Sequence, residues 1–458
     1  MLFHTWIFVV FFLIVYPVHL LVRKTPFMVP WLLLASYVFY GWWNPLYLAL
    51  IIYATAVNYA AVALMDRTGH KKLWLAVSVV NSLGLLGFFK YAGFVTDNVN
   101  LVLSHLGASY RIPAPGVLLP VGISFFTFQA MSYTIDYYRG QVPRERSLIR
   151  FATYVALFPQ LVAGPIERST NLLPQLHRPP TITREDITDG LSLLIVGLFK
   201  KVALADYLGL YTDKVFNAPA QFQAPALILA SFAFGWQIYF DFSGYTDMAR
   251  GIARTMGFRL MLNFNNPYLA TDLGDFWRRW HISLSTWFKD YVYIPLGGNR
   301  GGKLNTYKNM VLTMLISGLW HGAAWTFVIW GALHAAGRVV TRELERAPFY
   351  RDKVPKLAKQ MGVFAFVTFA WIFFRARTLH DASTIVTRIF TTGWADPAFP
   401  VVALGLVLAV WVYEHVYESR HRWALALAPA RVAIVVTMGL YLAVFAGSSS
   451  QPFIYFQF

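Results

Sequence analysis

The chain has 458 residues, of which 57% are hydrophobic and 13% charged, against about 25% charged in an ordinary soluble domain, and its mean hydropathy is +0.49. Lysine and arginine total 39 against 22 acidic residues, a net charge of +17; the basic residues lie scattered between apolar blocks, so they read as loop topology signals and contacts to membrane lipids, not as a nucleic-acid footprint. There is no cysteine, which excludes disulfides, thiolate metal ligands and a cysteine acyl-enzyme within this chain.

A helix that crosses hydrocarbon needs about 20 mainly apolar residues. The opening run, MLFHTWIFVVFFLIVYPVHLLVRK, has no basic n-region and no small-residue cleavage signal, so it reads as a retained helix over 6–22. Apolar blocks follow at 28–42, 46–64, 73–90, 114–135, 147–163, 188–208, 224–241, 309–336, 357–374, 399–413 and 430–447. They predict an all-α, polytopic integral membrane protein of about 10–12 transmembrane helices, with re-entrant or interfacial segments among the shorter blocks. No repeat or soluble domain interrupts them, and one membrane domain over 1–458 is the simplest partition.

Three segments break the pattern. Residues 36–45, SYVFYGWWNP, form an aromatic turn that suits an interface or a packed helix hairpin. Residues 139–150, RGQVPRERSLIR, form a basic connector that sets topology. Residues 242–308 are too polar for a lipid-facing span yet rich in aromatics, so they belong inside the protein or at the interface. Within them 275–291 reads as an amphipathic helix, and GGNRGG at 297–302 as a flexible turn without the lysine and strand of a nucleotide loop.

Residues 236–340 therefore concentrate the candidate chemistry. His321 lies in MVLTMLISGLWHGAAWTFVIWGALH, a run free of charge, with Gly318, Gly322, Ala323 and Ala324 leaving room beside it. Two roles fit it equally: a base that takes a proton near neutral pH, or an interhelical hydrogen bond. His281, between Trp280 and Ile282, suits an aromatic-packed role slightly better than a chemical one. His334 falls on a different helical face from His321 and ranks lower. Asp241, Ser243, Tyr245 and Asp247, in DFSGYTD, suit a cap for a helix starting near Thr246 better than a metal site, and no metal is expected. Asn263, Asn265 and Asn266 suit a polar turn, Arg278 and Arg279 suit local pairing with Asp272 or Asp275 or a donor phosphate, and Glu167 follows an apolar run broken by Gly164 and Pro165. Read without further comparison, these features fit a transporter with a proton-relay histidine somewhat better than an enzyme.

WRRWHISLSTWFKDYVYIPLGGNRGG followed by SGLWHGAAWTFVIWGALH resembles the membrane-bound O-acyltransferase superfamily. SYVFYGWWNP, VGISFFTFQAMSYTIDYYRG, FPQLVAGPIER, QIYFDFSGYTDMARG, MLNFNNPY and the final FIYFQF extend the likeness across nearly the whole chain, toward the bacterial polysaccharide branch. The resemblance implies an O-acyltransferase of the bacterial inner membrane, with the catalytic base at His321 and a supporting histidine at His281. It implies acetyl movement from a cytoplasmic donor, acetyl-CoA as co-substrate and no tightly bound cofactor, toward an exported polysaccharide such as alginate. It implies a separate periplasmic acetyltransferase and the exopolysaccharide machinery as partners. Trp Nε1–H groups, His281 and Arg279 are the candidates for stabilising an oxyanion. D-alanyl transfer to teichoic acid, acetylation of cellulose or peptidoglycan, and a transporter or flippase are the competing readings.

Overall fold

The structure is a computed structural model that describes residues 1–117, 119–445, 453 and 454. All regular elements among the described residues are helical. They form two compact units: Met1–Leu194 with Ala249–Met261, and Ile195–Met248 with the described residues from Leu262 onward.

The first unit holds α1 (Trp6–Val22), α2 (Met28–Gly41), α3 (Tyr47–Thr68), α4 (Lys71–His105), α5 (Ile123–Tyr138), α6 (Leu148–Ala156), α7 (Ser169–Leu176) and most of α8 (Arg184–Leu198). Thr5 caps α1 by accepting the Phe8 N–H, and Gly69 ends α3 in the left-handed conformation that glycine adopts without penalty. Apolar runs supply the helices, but a polar hub joins them. Asn58 of α3 accepts the hydroxyls of Ser78 in α4 (2.8 Å) and Thr134 in α5 (2.9 Å) and donates to Ser82 (3.3 Å). All four side chains are buried, and such bonds between helices fix their rotation where lipid offers no hydrophobic drive for association.

Two expected spans change here. The block at 114–135 becomes helical only from Ile123, because Pro113, Pro115 and Pro120 remove backbone donors and disfavour helix before them; residue 118 lies outside the described residues. The block at 147–163 is not a span. α6 has nine residues, or about 13 Å against the roughly 30 Å of a hydrocarbon core. The chain leaves the helix at Leu157, runs without regular structure to Arg168 and returns as α7. Protein groups partner this buried segment: the Phe158 N–H donates to Ser36 Oγ (3.0 Å), Gln160 Nε2 to the Tyr154 carbonyl (2.8 Å), and the Tyr154 hydroxyl to the Glu167 carbonyl (3.0 Å). Glu167 anchors the return. Its carboxylate accepts the Met261 N–H and Asn171 Nδ2, both at 2.6 Å, and burial pushes its pKa up to about 7.

The second unit holds α9 (Asp206–Phe216), α10 (Ala224–Thr255) through Met248, α11 (Leu273–Arg279), α12 (Ile282–Phe288), α13 (Gly302–His321), α14 (Trp325–Leu344), α15 (Pro348–Lys353), α16 (Lys356–Arg375), α17 (Leu379–Thr391), α18 (Val401–Glu418), α19 (Arg422–Ala426) and α20 (Ala428–Phe445). The expected amphipathic helix at 275–291 is split: α11 and α12 meet at His281, and a wider helical turn continues over Lys289–Tyr293.

The uninterrupted apolar block at 309–336 is also two elements. α13 and α14 run antiparallel, broken at 322–324, where Gly322 and Ala324 are extended. Apolarity gives no sign of this break; the small residues permit it. A methyl group at Gly318 would strike the Phe327 carbonyl oxygen, and one at Gly331 would lie 2.6 Å from the Met314 carbonyl oxygen, so only glycine lets the two backbones approach.

DFSGYTD lies in the interior of α10 and caps nothing. Asp241 instead pairs with Lys201 at 2.8 Å, and Lys201 also pairs with Asp206 at 2.8 Å. Asp241 further accepts the Ile454 N–H at 2.6 Å; the rest of FIYFQF beyond Ile454 lies outside the described residues.

Among the described residues five helices, α3, α4, α10, α16 and α18, are long and apolar enough to cross a membrane, and α1, α2 and α20 are shorter apolar helices. The apolar blocks at 147–163 and 309–336 are instead the α6–α7 loop and the α13–α14 hairpin.

Candidate active site

The site lies in the second unit. His321 is the last residue of α13, at the tip of the hairpin, and is 5% exposed. Its ring meets Trp330 of α14 edge-on at 5.0 Å between centroids and Phe374 of α16 at 5.3 Å, and it packs at 5.0 Å against Trp320. The room left by Gly322, the next residue, is taken by the Phe327 ring.

His281 is fully buried and holds the left-handed conformation, φ 43 and ψ 55, between α11 and α12. A residue with a Cβ pays roughly 1–2 kcal/mol for that backbone, so neighbouring groups must impose it. Asn263 does so: its carbonyl accepts the Ile282 N–H (2.9 Å), and its Oδ1 accepts the Ser283 hydroxyl (2.8 Å) and N–H (3.2 Å). The turn aims the His281 ring at Phe242 (4.6 Å) and at Trp320 (6.2 Å). Burial holds its imidazole down to about 3, so it stands as a neutral ring. Sequence spacing alone could not join two histidines forty residues apart; the structure sets both against the Trp320 indole.

His334 is fully buried in α14, 4.7 Å from Trp330 and 5.1 Å from Trp277. It reaches the His321 neighbourhood through the shared Trp330 ring and through Trp371 to Phe374. Arg279 does not serve as an oxyanion donor, because its guanidinium is engaged by Asp275 (3.0 Å) and by Glu418. Arg278 is different: it is largely exposed and lines a cavity.

That cavity, about 590 Å³, is bounded by α11, α12, the turn after α12, α13 and α14. Arg278, Lys289, Arg338 and Arg342 make its wall basic, Trp277 and Phe288 add aromatic faces, and Met310, Met314 and Ser317 carry it along α13. Ser317 precedes His321 by one helical turn. The cavity thus borders α13 as far as Ser317, one turn short of His321, which does not itself line it. Sequence reasoning passed over Ser317, Trp330 and Phe374. The i, i+4 spacing marks Ser317, whereas Trp330 and Phe374 come from α14 and α16 and carry no local signal.

Among the described residues no three His, Asp or Glu side chains converge as a metal ion requires. The chain can offer an imidazole at a helix tip, a second imidazole across one indole, a buried aromatic surround and a basic approach, which together suit proton transfer beside an anionic, acyl-bearing ligand.

The family model for MBOAT, the membrane-bound O-acyltransferase family, matches residues 140–379, which include both histidines and the whole cavity. The chain belongs to the membrane-bound O-acyltransferase family. It is 40% identical to a probable alginate O-acetylase of Pseudomonas putida, over 93% of this chain and 94% of the relative. It is 42% identical to a probable alginate O-acetylase of Azotobacter vinelandii, over 87% and 81%, and 34% identical to a peptidoglycan O-acetyltransferase of Helicobacter pylori, over 93% and 91%. The protein is thus an integral membrane O-acyltransferase, an enzyme in class.

Proposed function

We propose that this O-acyltransferase moves acetyl groups from a cytoplasmic donor, acetyl-CoA, toward hydroxyls of an exported polysaccharide such as alginate, with His321 as general base and His281 in support. The observation that carries the reading is the basic cavity that ends at Ser317, one turn from His321. Its arginines and lysine suit the phosphates of a soluble thioester donor. The acceptor oxygen attacks the thioester carbonyl as His321 Nε2 or Nδ1 takes its proton. The tetrahedral intermediate expels the thiolate, which recovers the proton from the imidazolium. Indole N–H groups near His321 are the candidate oxyanion donors.

Charge supports the direction. In the second unit Lys303, Arg342 and Arg346 cluster at the base of the hairpin, around Glu343 and Tyr307, away from the tip that bears His321. By the positive-inside rule that base faces the cytoplasm. The reading assigns the protein to the bacterial inner membrane. It also assigns a periplasmic acetyltransferase as partner, which would hold the polymer while the membrane protein supplies the acetyl group. The alginate relatives favour alginate as acceptor, and the Helicobacter relative favours peptidoglycan as the second.

The test compares wild type, His321→Ala and His281→Ala in cells, with protein abundance and polymer O-acetyl content measured together. Loss of a general base costs roughly 10²–10⁴ in rate, so His321→Ala should abolish detectable acetyl at normal abundance, with a smaller fall for His281→Ala. Unchanged acetylation in His321→Ala would sink the mechanism.

A further inference from the structure

A second cavity, about 620 Å³, lies in the first unit, between the 141–150 connector and α7. Arg144, Arg146 and Arg150 line it from the connector and Ser169 and Thr170 from the start of α7. Two of its donors have no acceptor. Ser169 is 2% exposed, and its hydroxyl has no hydrogen-bond partner among the described residues; Arg150 Nε is likewise buried and unpartnered. Neither atom gains from folding as it stands, since a buried polar group without a partner destabilises the fold.

The acid in the wall does not supply the missing acceptor. Glu145 Oε1 takes Arg150 Nη1 (2.9 Å) and the Ser147 N–H (2.8 Å), and Oε2 takes His177 Nε2 (2.7 Å). Arg144 Nη1 is paired with Asp66 at 2.8 Å. After these pairs the cavity retains an excess of positive charge and a hydroxyl, the groups that bind a phosphate. Val142, Leu173 and Pro174 give the remaining wall an apolar character, which suits the glycerol and ester portion beneath a phosphate. The setting agrees. Arg23 of the loop after α1 bonds the Pro180 carbonyl (3.1 Å), and Asp66 near the end of α3 pairs with Arg144. Arg67, Lys71 and Lys72 follow at the same end of α3 and start of α4. A basic helix end is the level of anionic headgroups on the cytoplasmic leaflet.

We infer that this cavity binds a phosphate ester, the chemistry shared by an anionic phospholipid headgroup and a small soluble phosphate, at a site separate from the one that holds His321. Seated there, the phosphate would tie the connector to α7 by accepting from Ser169 and Arg150 at once.

The experiment uses the full chain. Native mass spectrometry measures retention of phosphatidylglycerol against phosphatidylcholine, and calorimetry measures binding of inorganic phosphate and glycerol 3-phosphate. Both are done on wild type, Ser169→Ala, Arg146→Gln and Arg150→Gln. Ser169→Ala removes only an unpartnered hydroxyl, so it should fold normally even if Arg150→Gln, which strips Glu145, does not. Preferential retention of phosphatidylglycerol, weakened about tenfold in Ser169→Ala and in Arg146→Gln, supports the site with a lipid source; the same loss seen only with the soluble phosphates supports it with a soluble source. Binding equal to phosphatidylcholine with no uptake of either soluble phosphate, or binding unaltered in both folded variants, overturns it.

Discussion

Ser317 and His321 share one face of α13, so a residue that lines the basic cavity sits one turn below the imidazole at the helix tip. On the proposed function Ser317 borders the route of an acyl group that enters from the cationic end. Replacing it with phenylalanine should cut acetyl transfer about tenfold or more, a barrier change of only ~1.4 kcal/mol. Ser317→Ala should be close to wild type. Polymer O-acetyl content normalised to protein abundance checks both; equal activity of Ser317→Phe and wild type would remove the cavity from the route.

Asn58 ties α3 to α4 and α5 through three buried hydroxyl partners. Asn58→Leu keeps the apolar volume but leaves Ser78, Ser82 and Thr134 to rearrange, at about 1–3 kcal/mol for each group left unsatisfied. The thermal midpoint of the purified protein should fall by several degrees. Acetyl transfer per folded molecule should hold, because Asn58 lies in the unit that does not contain the histidines.

The hairpin depends on glycine. Gly318→Val adds a branched side chain where even a methyl group meets the Phe327 carbonyl. Overpacking of this kind costs typically about 1–3 kcal/mol, and here it also displaces the tip that carries His321. Both abundance and acetylation should drop, whereas Gly405→Val in α18, with no atom near the added carbon, should leave both unchanged. Tolerance of Gly318→Val would contradict the close crossing of α13 and α14.

Much of the fold was legible in the residues. The helices over 6–22, 28–42 and 357–374 follow from apolar length alone, and proline explains where α5 starts. What escaped was depth: apolarity at 147–163 and 309–336 reports the surroundings of a segment, not whether the chain turns back within them. The turns at Leu157 and Gly322 are fixed by partners from distant elements, Ser36 and Gln129 for one and the α14 backbone for the other. At the site, small residues beside a histidine in a charge-free run singled out His321. The left-handed turn at His281 was not legible, since Asn263 imposes it from eighteen residues away in the sequence.

Glu167 gives a pH dependence. Its folded-state pKa is raised by burial to about 7, above that of the same carboxyl in an unfolded chain. Between those two values the folded state holds the extra proton, so stability is full below the ordinary glutamate range and declines as pH rises toward 7. Unfolding midpoints at about pH 5 and about pH 8 should show this decline in wild type and a smaller one in Glu167→Gln. Identical slopes in the two proteins would mean that Glu167 is already ionised across the range.

The rings around His321 bear on the energetics of the cell. An energised membrane stores about 2.3 kcal/mol per elementary charge for each 100 mV, and a titratable imidazole in a wetted pore would let protons run down that store. Trp320, Trp330 and Phe374, which pack against the imidazole, are each no more than 3% exposed, and they face it with surface that does not conduct. An acetyl group carries no charge and needs no file of water molecules. On the function proposed above, a base in such a seal would hand one across while respiration continues to charge the membrane undiminished, and the same dryness would spare the thioester from wasteful hydrolysis.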